Sequence, residues 1–335
     1  MKIEKERLIK ALEIVKPGLS NKDMIEQATS FAFMGGRVVT YNDEISISHP
    51  VEDLDITGAV KAEELYQLLG KIKQKDVTFE VDEHEVRITA GKARAGITLQ
   101  QEIRLPLDEI GEIGKWKRVP KNLKEAMKFA MFSCSKDMSR PVLTCLHVTS
   151  TYVESCDNLR LTRYNLDADL PVKEFLIPVS IVKDLINYDF VAIAEGMGWI
   201  HFKSKDATVF SCRVFEDAYP NVSSLLKVAG DSFILPAGLG EVLKRAEVFS
   251  KRDNVLEETV VVGIQKNLLK IRSEDESGWF EEELELSSES KVAEVEFAIN
   301  PGFLNDMLSR QTTCALTKDR MKFTGEGWEH VVALL

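Results

Sequence analysis

Histidine, cysteine and paired carboxylates supply most catalytic and metal-binding chemistry, and this chain scatters them. The five histidines are His49, His84, His147, His201 and His330. His147 lies in LTCLHVTS and His201 in GWIHFKSK, strand-like contexts where an imidazole is more often bonded to a neighbour than poised as a base. Cys134, Cys145, Cys156, Cys212 and Cys314 are odd in number and form no CxxC. A disulfide framework needs pairing and a structural zinc needs close-set ligands. The expectation is isolated buried thiols in a reducing cytoplasm, with no metal and no cofactor. The acidic runs Glu274-Asp275-Glu276 and Glu281-Glu282-Glu283 read as a solvated turn and a charged strand face, and neither has calcium-loop spacing. Phosphate-loop, dinucleotide, nucleophile-elbow and zinc-protease motifs are all missing from the sequence. The one catalytic constellation left is Asp157, Arg160 and His147, which only tertiary assembly could bring beside a cleft.

The elements that would carry these residues repeat. ERLIKALEIVKPGLSNKDM (6–24), NLKEAMKFAMFSCSKDM (122–138) and LGEVLKRAEVFSKRDN (239–254) each place apolar residues at i, i+3, i+4 and i+7, then run into a polar basic turn. Lys22, Lys136 and Lys251 fall 114 and 115 residues apart. A second helix pattern starts at Lys61, Pro178 and Asn300, at intervals of 117 and 122 residues. Period-2 segments joined by short turns follow every helix, which predicts antiparallel strands. Two helix classes with one period predict a triplicated α+β chain. The boundaries fall at 1–114, 115–230 and 231–335, and each repeat has two helices on one side of an antiparallel sheet.

Over 335 residues the formal charge is −11, which excludes a protein that coats nucleic acid by net attraction. The distribution is uneven. Residues 1–22 hold six basic against three acidic side chains, 115–136 seven against one, and 237–252 four against two, so the remainder of the chain carries −22. Lysines on one surface helix can serve solubility alone; the same bias on three equivalent helices predicts a basic face inside an acidic body. That face suits phosphate contacts without sequence choice. Its charge places Lys121, Lys124, Lys128, Lys136, Lys244 and Lys251 in a polyanion contact. The charged N-terminus and the absence of a long apolar run predict no membrane association and a cytoplasmic location.

Several stretches carry a resemblance to one family: KAEELYQLLGKIKQ followed by VRITAGKARAGI, then FSCSKDMSRPVLTCLHV, SCDNLRLTRYNL, VFEDAYPNVSSLL and AINPGFLNDML. Together they resemble the bacterial-type DNA sliding clamp, the beta subunit of DNA polymerase III, over essentially the whole chain. The resemblance implies three clamp domains per chain, with antiparallel sheets outside and helices lining the inner face, closing into a ring as a head-to-tail homodimer. It implies a non-catalytic processivity factor that encircles double-stranded DNA and serves a DNA polymerase catalytic subunit and a clamp loader. A clamp-fold interaction hub without DNA traffic, and an enzyme built on the same scaffold, are the alternatives.

Carried over residue by residue, the resemblance adds Lys10, Lys22, Arg94 and Arg140 to the DNA-facing set. It also implies a groove for partner peptides formed by Leu143, Cys156, Asn158, Leu159, Arg160, Leu161, Pro220, Leu225, Asn300, Phe303, Met321, Val331 and Val332. Leu143, Leu161 and Val331 would equally serve as plain core. Asn158-Leu159 stands where the family has glycine-histidine, Leu225 follows Ser224 where arginine is usual, and Ala333, Leu334 and Leu335 stand where a longer tail is common. A divergent member with an altered groove wall is expected. Strand edges near 73–89 and 260–271 are the expected sites of self-pairing.

Overall fold

The computed structural model describes residues 1–22, 24–286 and 294–335. Among them are six α-helices: α1 Lys5–Val15, α2 Ala62–Lys71, α3 Leu123–Ala130, α4 Val179–Leu185, α5 Leu239–Ala246 and α6 Pro301–Leu308. The expected starts of the second helices at Lys61, Pro178 and Asn300 are the N-cap residues of α2, α4 and α6. Pro301 opens α6, where its missing N–H costs nothing, and the Asn300 side chain accepts from Phe303 N at 3.2 Å.

The first helix of each repeat buries the same stripe: Leu8, Ala11, Leu12 and Val15 in α1; Leu123, Ala126, Met127 and Ala130 in α3; Leu239, Val242, Leu243 and Ala246 in α5. Each then tightens into a single 3-10 turn, over Lys16–Gly18, Met131–Ser133 and Glu247–Phe249. A buried hydroxyl from a following strand donates to the carbonyl of the last helical residue in all three: Thr40 Oγ1 to Val15 at 2.6 Å, Ser155 Oγ to Ala130 at 2.5 Å and Ser273 Oγ to Ala246 at 2.7 Å. Carbonyls at a helix end lack intrahelical partners, and here a strand supplies one each time.

Contacts divide the chain into two compact units. The first holds Met1–Lys124, Val148–Ser150 and Ala168–Asp217; the second holds Glu125–His147, Thr151–Asp167 and Ala218–Leu335. Residues 115–230 therefore contribute to both. In the first unit twelve strands form one sheet, whose middle runs Gly58–Lys61, Ser30–Met34, Arg37–Tyr41, Ile45–Pro50, Val209–Arg213 and Trp199–Ser204. The seam between early and late sequence is antiparallel, with Cys212 opposite Ile45 and Val209 opposite Ser48. Arg37 bonds Ser48 and the Ala207 carbonyl across it. In the second unit Tyr152–Cys156, Arg160–Asn165, Trp328–Ala333 and Arg320–Gly325 are consecutive in one sheet. A separate sheet there runs Gly278–Glu285, Leu268–Asp275, Val260–Gln265, Val295–Ile299.

This is the α+β architecture expected. Two expectations are corrected: Asp76–Val81 and Glu85–Ala90, within the expected edge 73–89, are interior strands of the twelve-stranded sheet, and Val260–Gln265 and Leu268–Asp275 are interior strands of the four-stranded sheet, so the strands of both expected edges are already paired on either side. The strands at the edges of the four-stranded sheet are Gly278–Glu285 and Val295–Ile299, and the second is bonded through Ala298 to Leu335. All five cysteines are free and buried. Among the described residues no helix is long and apolar enough to cross a membrane.

Candidate functional site

The groove residues meet in the second unit around the strand Arg160–Asn165. Register decides which face each side chain takes, because neighbours along a strand point to opposite sides. Leu161 lies opposite both Cys156 and Val331. These three join Leu143, Val222 and Leu226 in one buried cluster, with Val142, Tyr219 and Val228 packed against it and partly exposed. Arg160 lies opposite Val332, and Val332 opposite Met321, so this set faces the other way.

Three expectations are corrected, the first by that parity and the others by a turn and a helix cap. Met321 and Val332 are 0% exposed and are core beneath the sheet rather than groove wall. Leu225 is 40% exposed while Leu226 is 5% exposed and enters the cluster, one position along from the expected residue. Asn300 is buried and both ends of its amide are engaged, Oδ1 by Phe303 N and Nδ2 by the Val255 carbonyl at 2.7 Å. It caps a helix and offers nothing to a peptide.

Arg160 is held on every side. Its Nε lies 3.1 Å from Asp157 Oδ2, its Nη1 3.4 Å from Asp306 Oδ2, and its guanidinium stacks 3.8 Å from the centre of the Phe303 ring. Asp157 also accepts from Leu159 N at 2.8 Å and Arg160 N at 2.6 Å, a tight turn that sets Asn158 outward. Exposed Asn158 accepts from Arg140 Nη1 at 3.2 Å, so a residue expected on DNA and one expected in the groove share a rim.

The segment that covers the cluster is pinned by polar contacts that sequence reasoning did not identify. Buried Glu154 binds His147 at 2.8 Å and Arg163 at 2.6 Å; Arg163 reaches Ser223, and His147 stacks on Tyr219 at 4.7 Å. Tyr219 OH donates to Cys156 Sγ at 3.2 Å. Burial raises the Cys156 thiol above its usual range, opposed by that hydrogen bond. On the helix side, Ser133, Thr162 and His330 form a buried chain at 2.6 and 2.8 Å. Burial, with Arg160 and Arg310 nearby, lowers His330 to about 3. The four-residue spacing of Val222 and Leu226 in VSSLL was the available signal for that pair; nothing local in sequence pairs Glu154 with His147. That pairing also separates the catalytic trio, since His147 goes to Glu154 and Asp157 to Arg160.

The basic candidates lie on both units. In the first, Lys10, Lys22 and Lys121 are exposed and have no ion-pair partner among the described residues, whereas Lys124 Nζ sits 2.8 Å from Asp189 Oδ1. In the second, Lys128, Lys136 and Lys251 are exposed and likewise unpaired among the described residues; Lys244 pairs with Glu241 at 2.8 Å. Arg94 departs from expectation. On Ala93–Gln100 the buried position is Leu99, and Arg94 shares the opposite, solvent face with Glu80, Glu85 and Arg87 around one hollow. Its side chain does not belong to the helix-bearing side, again because of strand parity.

No family model matches the sequence. A beta sliding clamp from Lactococcus lactis is 25% identical over 256 residues, covering 68% of this chain and 67% of that protein. Among solved structures, a sliding clamp from Pseudomonas aeruginosa superposes with a TM-score of 0.86 at 17% identity, covering 100% of this chain and 98% of the other. This is the sliding-clamp fold. The beta subunit of DNA polymerase III from Caulobacter crescentus agrees, with a TM-score of 0.87 at 16% identity and 99% of its length covered.

Proposed function

We propose that this chain is a DNA sliding clamp, a processivity factor whose three repeats (1–114, 115–230 and 231–335) form half of a ring. Its likeness to sliding clamps over 100% of its length is the observation that carries the reading. Two copies joined head to tail through a heterologous contact would close around duplex DNA. The edge strand Gly278–Glu285, which exposes Glu281, Glu283 and Glu285, is suited to meet a basic surface, and the exposed Lys71, Lys73 and Lys75 lie next to the edge strand Lys2–Glu4, which pairs with Asp76–Val81.

Lys10, Lys22, Lys121, Lys128, Lys136 and Lys251 supply mobile positive charge to phosphates without reading bases. Topological linkage, rather than affinity, then gives residence. A short apolar peptide of the polymerase or clamp loader is received over the Leu143–Leu161–Val331 cluster, with Asn158, Leu159, Pro220 and Leu225 around it. The chain has no chemistry of its own in this role.

The test is retention on DNA after loading by a cognate loader. Clamp bound to nicked circular DNA is expected to persist at salt concentrations that strip electrostatic binders, and to leave when the circle is linearised. Equal loss from circular and linear DNA would sink the reading.

A further inference from the structure

We propose that Asp189 competes with DNA phosphate for Lys124 and so sets how loosely the clamp holds its DNA. This rests on the sliding-clamp reading. Lys124 is the second residue of α3, one of the three repeated basic helices, and its ammonium is 2.8 Å from Asp189 Oδ1. The carboxylate is not there by chance of a loose side chain. Asp189 follows Tyr188, whose hydroxyl donates to the Ile14 carbonyl in α1 at 2.5 Å and whose ring packs edge-on against Phe210 at 5.1 Å. The turn after α4 is therefore fastened to α1, and it presents Asp189 beside Lys10 in a hollow of about 720 Å³ also lined by Asp184, Lys205 and Asp206.

Asp189 has 91% of its side chain exposed, so no packing role holds it there, and its one ion-pair partner among the described residues is a lysine expected on DNA. A phosphate approaching Lys124 must break this pair and meets a carboxylate beside it. The physical consequence is a contact that is made and released readily, which suits a ring that moves along DNA. Surface pairs are weak, so the effect is a modest bias.

The experiment measures salt-dependent binding of the purified protein to duplex DNA for wild type, Asp189→Asn, Lys124→Gln and the double variant. Asp189→Asn is expected to tighten binding about two- to fivefold at low salt and to steepen the log–log salt slope by about 0.9, one added phosphate contact. In the Lys124→Gln background the same change should have little effect, because the competition has lost its object. Tightening of equal size with and without Lys124 would overturn the proposal in favour of general repulsion. So would unchanged binding in Asp189→Asn with Lys124 in place, even where Lys124→Gln alone weakens binding. Failure of every variant and the wild type to bind duplex, or to be retained on circles, would instead remove the clamp reading beneath it.

Discussion

Replacing Arg160 by alanine separates two roles that coincide at one residue. If Arg160 chiefly contacts a partner peptide, the variant folds normally and loses only binding. The geometry says otherwise: the side chain is 9% exposed and its partner Asp157 3% exposed, with the guanidinium 3.8 Å from the Phe303 ring. Breaking a buried ion pair by removing one partner costs about 3–5 kcal/mol. Two backbone N–H groups still bond Asp157, which favours the lower end, and loss of the stacked cation adds about 0.5–2 kcal/mol. About 4 kcal/mol of local stability should go, equivalent to amide exchange faster by about a thousandfold in the Arg160–Asn165 and Trp328–Ala333 strands. Hydrogen–deuterium exchange reads this directly. The decisive comparison is Arg160→Ala combined with Asp157→Asn, which no longer leaves a buried carboxylate alone and should exchange about tenfold more slowly than the single variant. A double variant that exchanges as fast as, or faster than, Arg160→Ala refutes the argument. An Arg160→Ala protein with native protection refutes it as well, and returns the residue to peptide binding alone.

Stability should also fall in acid for a stated reason. His330 titrates at about 3 in the folded chain against 6.5 unfolded, so the unfolded state takes up the proton first and stability is lost as pH drops from 6.5 toward 3, by about 1.4 kcal/mol per pH unit. His201, lowered to about 4 by burial, acts with the same sign in the first unit. Urea midpoints between pH 7 and pH 5 should fall less in His330→Gln than in wild type, and an unchanged dependence would rule out His330 as a source. The three hydroxyl contacts predict matched losses: Thr40→Val, Ser155→Ala and Ser273→Ala each leave a helix-end carbonyl short of a donor, at about 1–2 kcal/mol. Exchange in the turns after α1, α3 and α5 measures them, and a silent member would show that the contact is not a common device.

How much of this was legible beforehand follows from what sequence periodicity can encode. A helix stripe depends on residues three and four apart, so α1, α3 and α5 and their common spacing could be read from Leu8, Leu123, Leu239 and their neighbours alone. The caps at Lys61, Pro178 and Asn300 were legible for the same reason, as was the concentration of lysine on the first helices. Lys22, Lys128, Lys136 and Lys251 are exposed, as a polyanion surface requires.

Strand residues behave differently, because a shift of one position reverses the face. Turns are no more legible: Leu225 and Leu226 share one turn, exposed and buried respectively. Arg94 belongs to a suggestive GKAR stretch, yet the burial of Leu99 puts it on the solvent face of its sheet. Met321, Val332 and Asn300 are the right residue types for a groove, but pairing and capping use them inside the structure. The Glu154 network with His147, Arg163 and Tyr219, and the pair between Lys124 and Asp189, join side chains with no common period in sequence. The amino-acid sequence by itself determined the repeat, the helices and the segregation of charge, since each is a local or summed property of the chain. Which side chains share a face, and which lysines already hold a carboxylate, depended on strand register and long-range packing, and only the tertiary structure decides those.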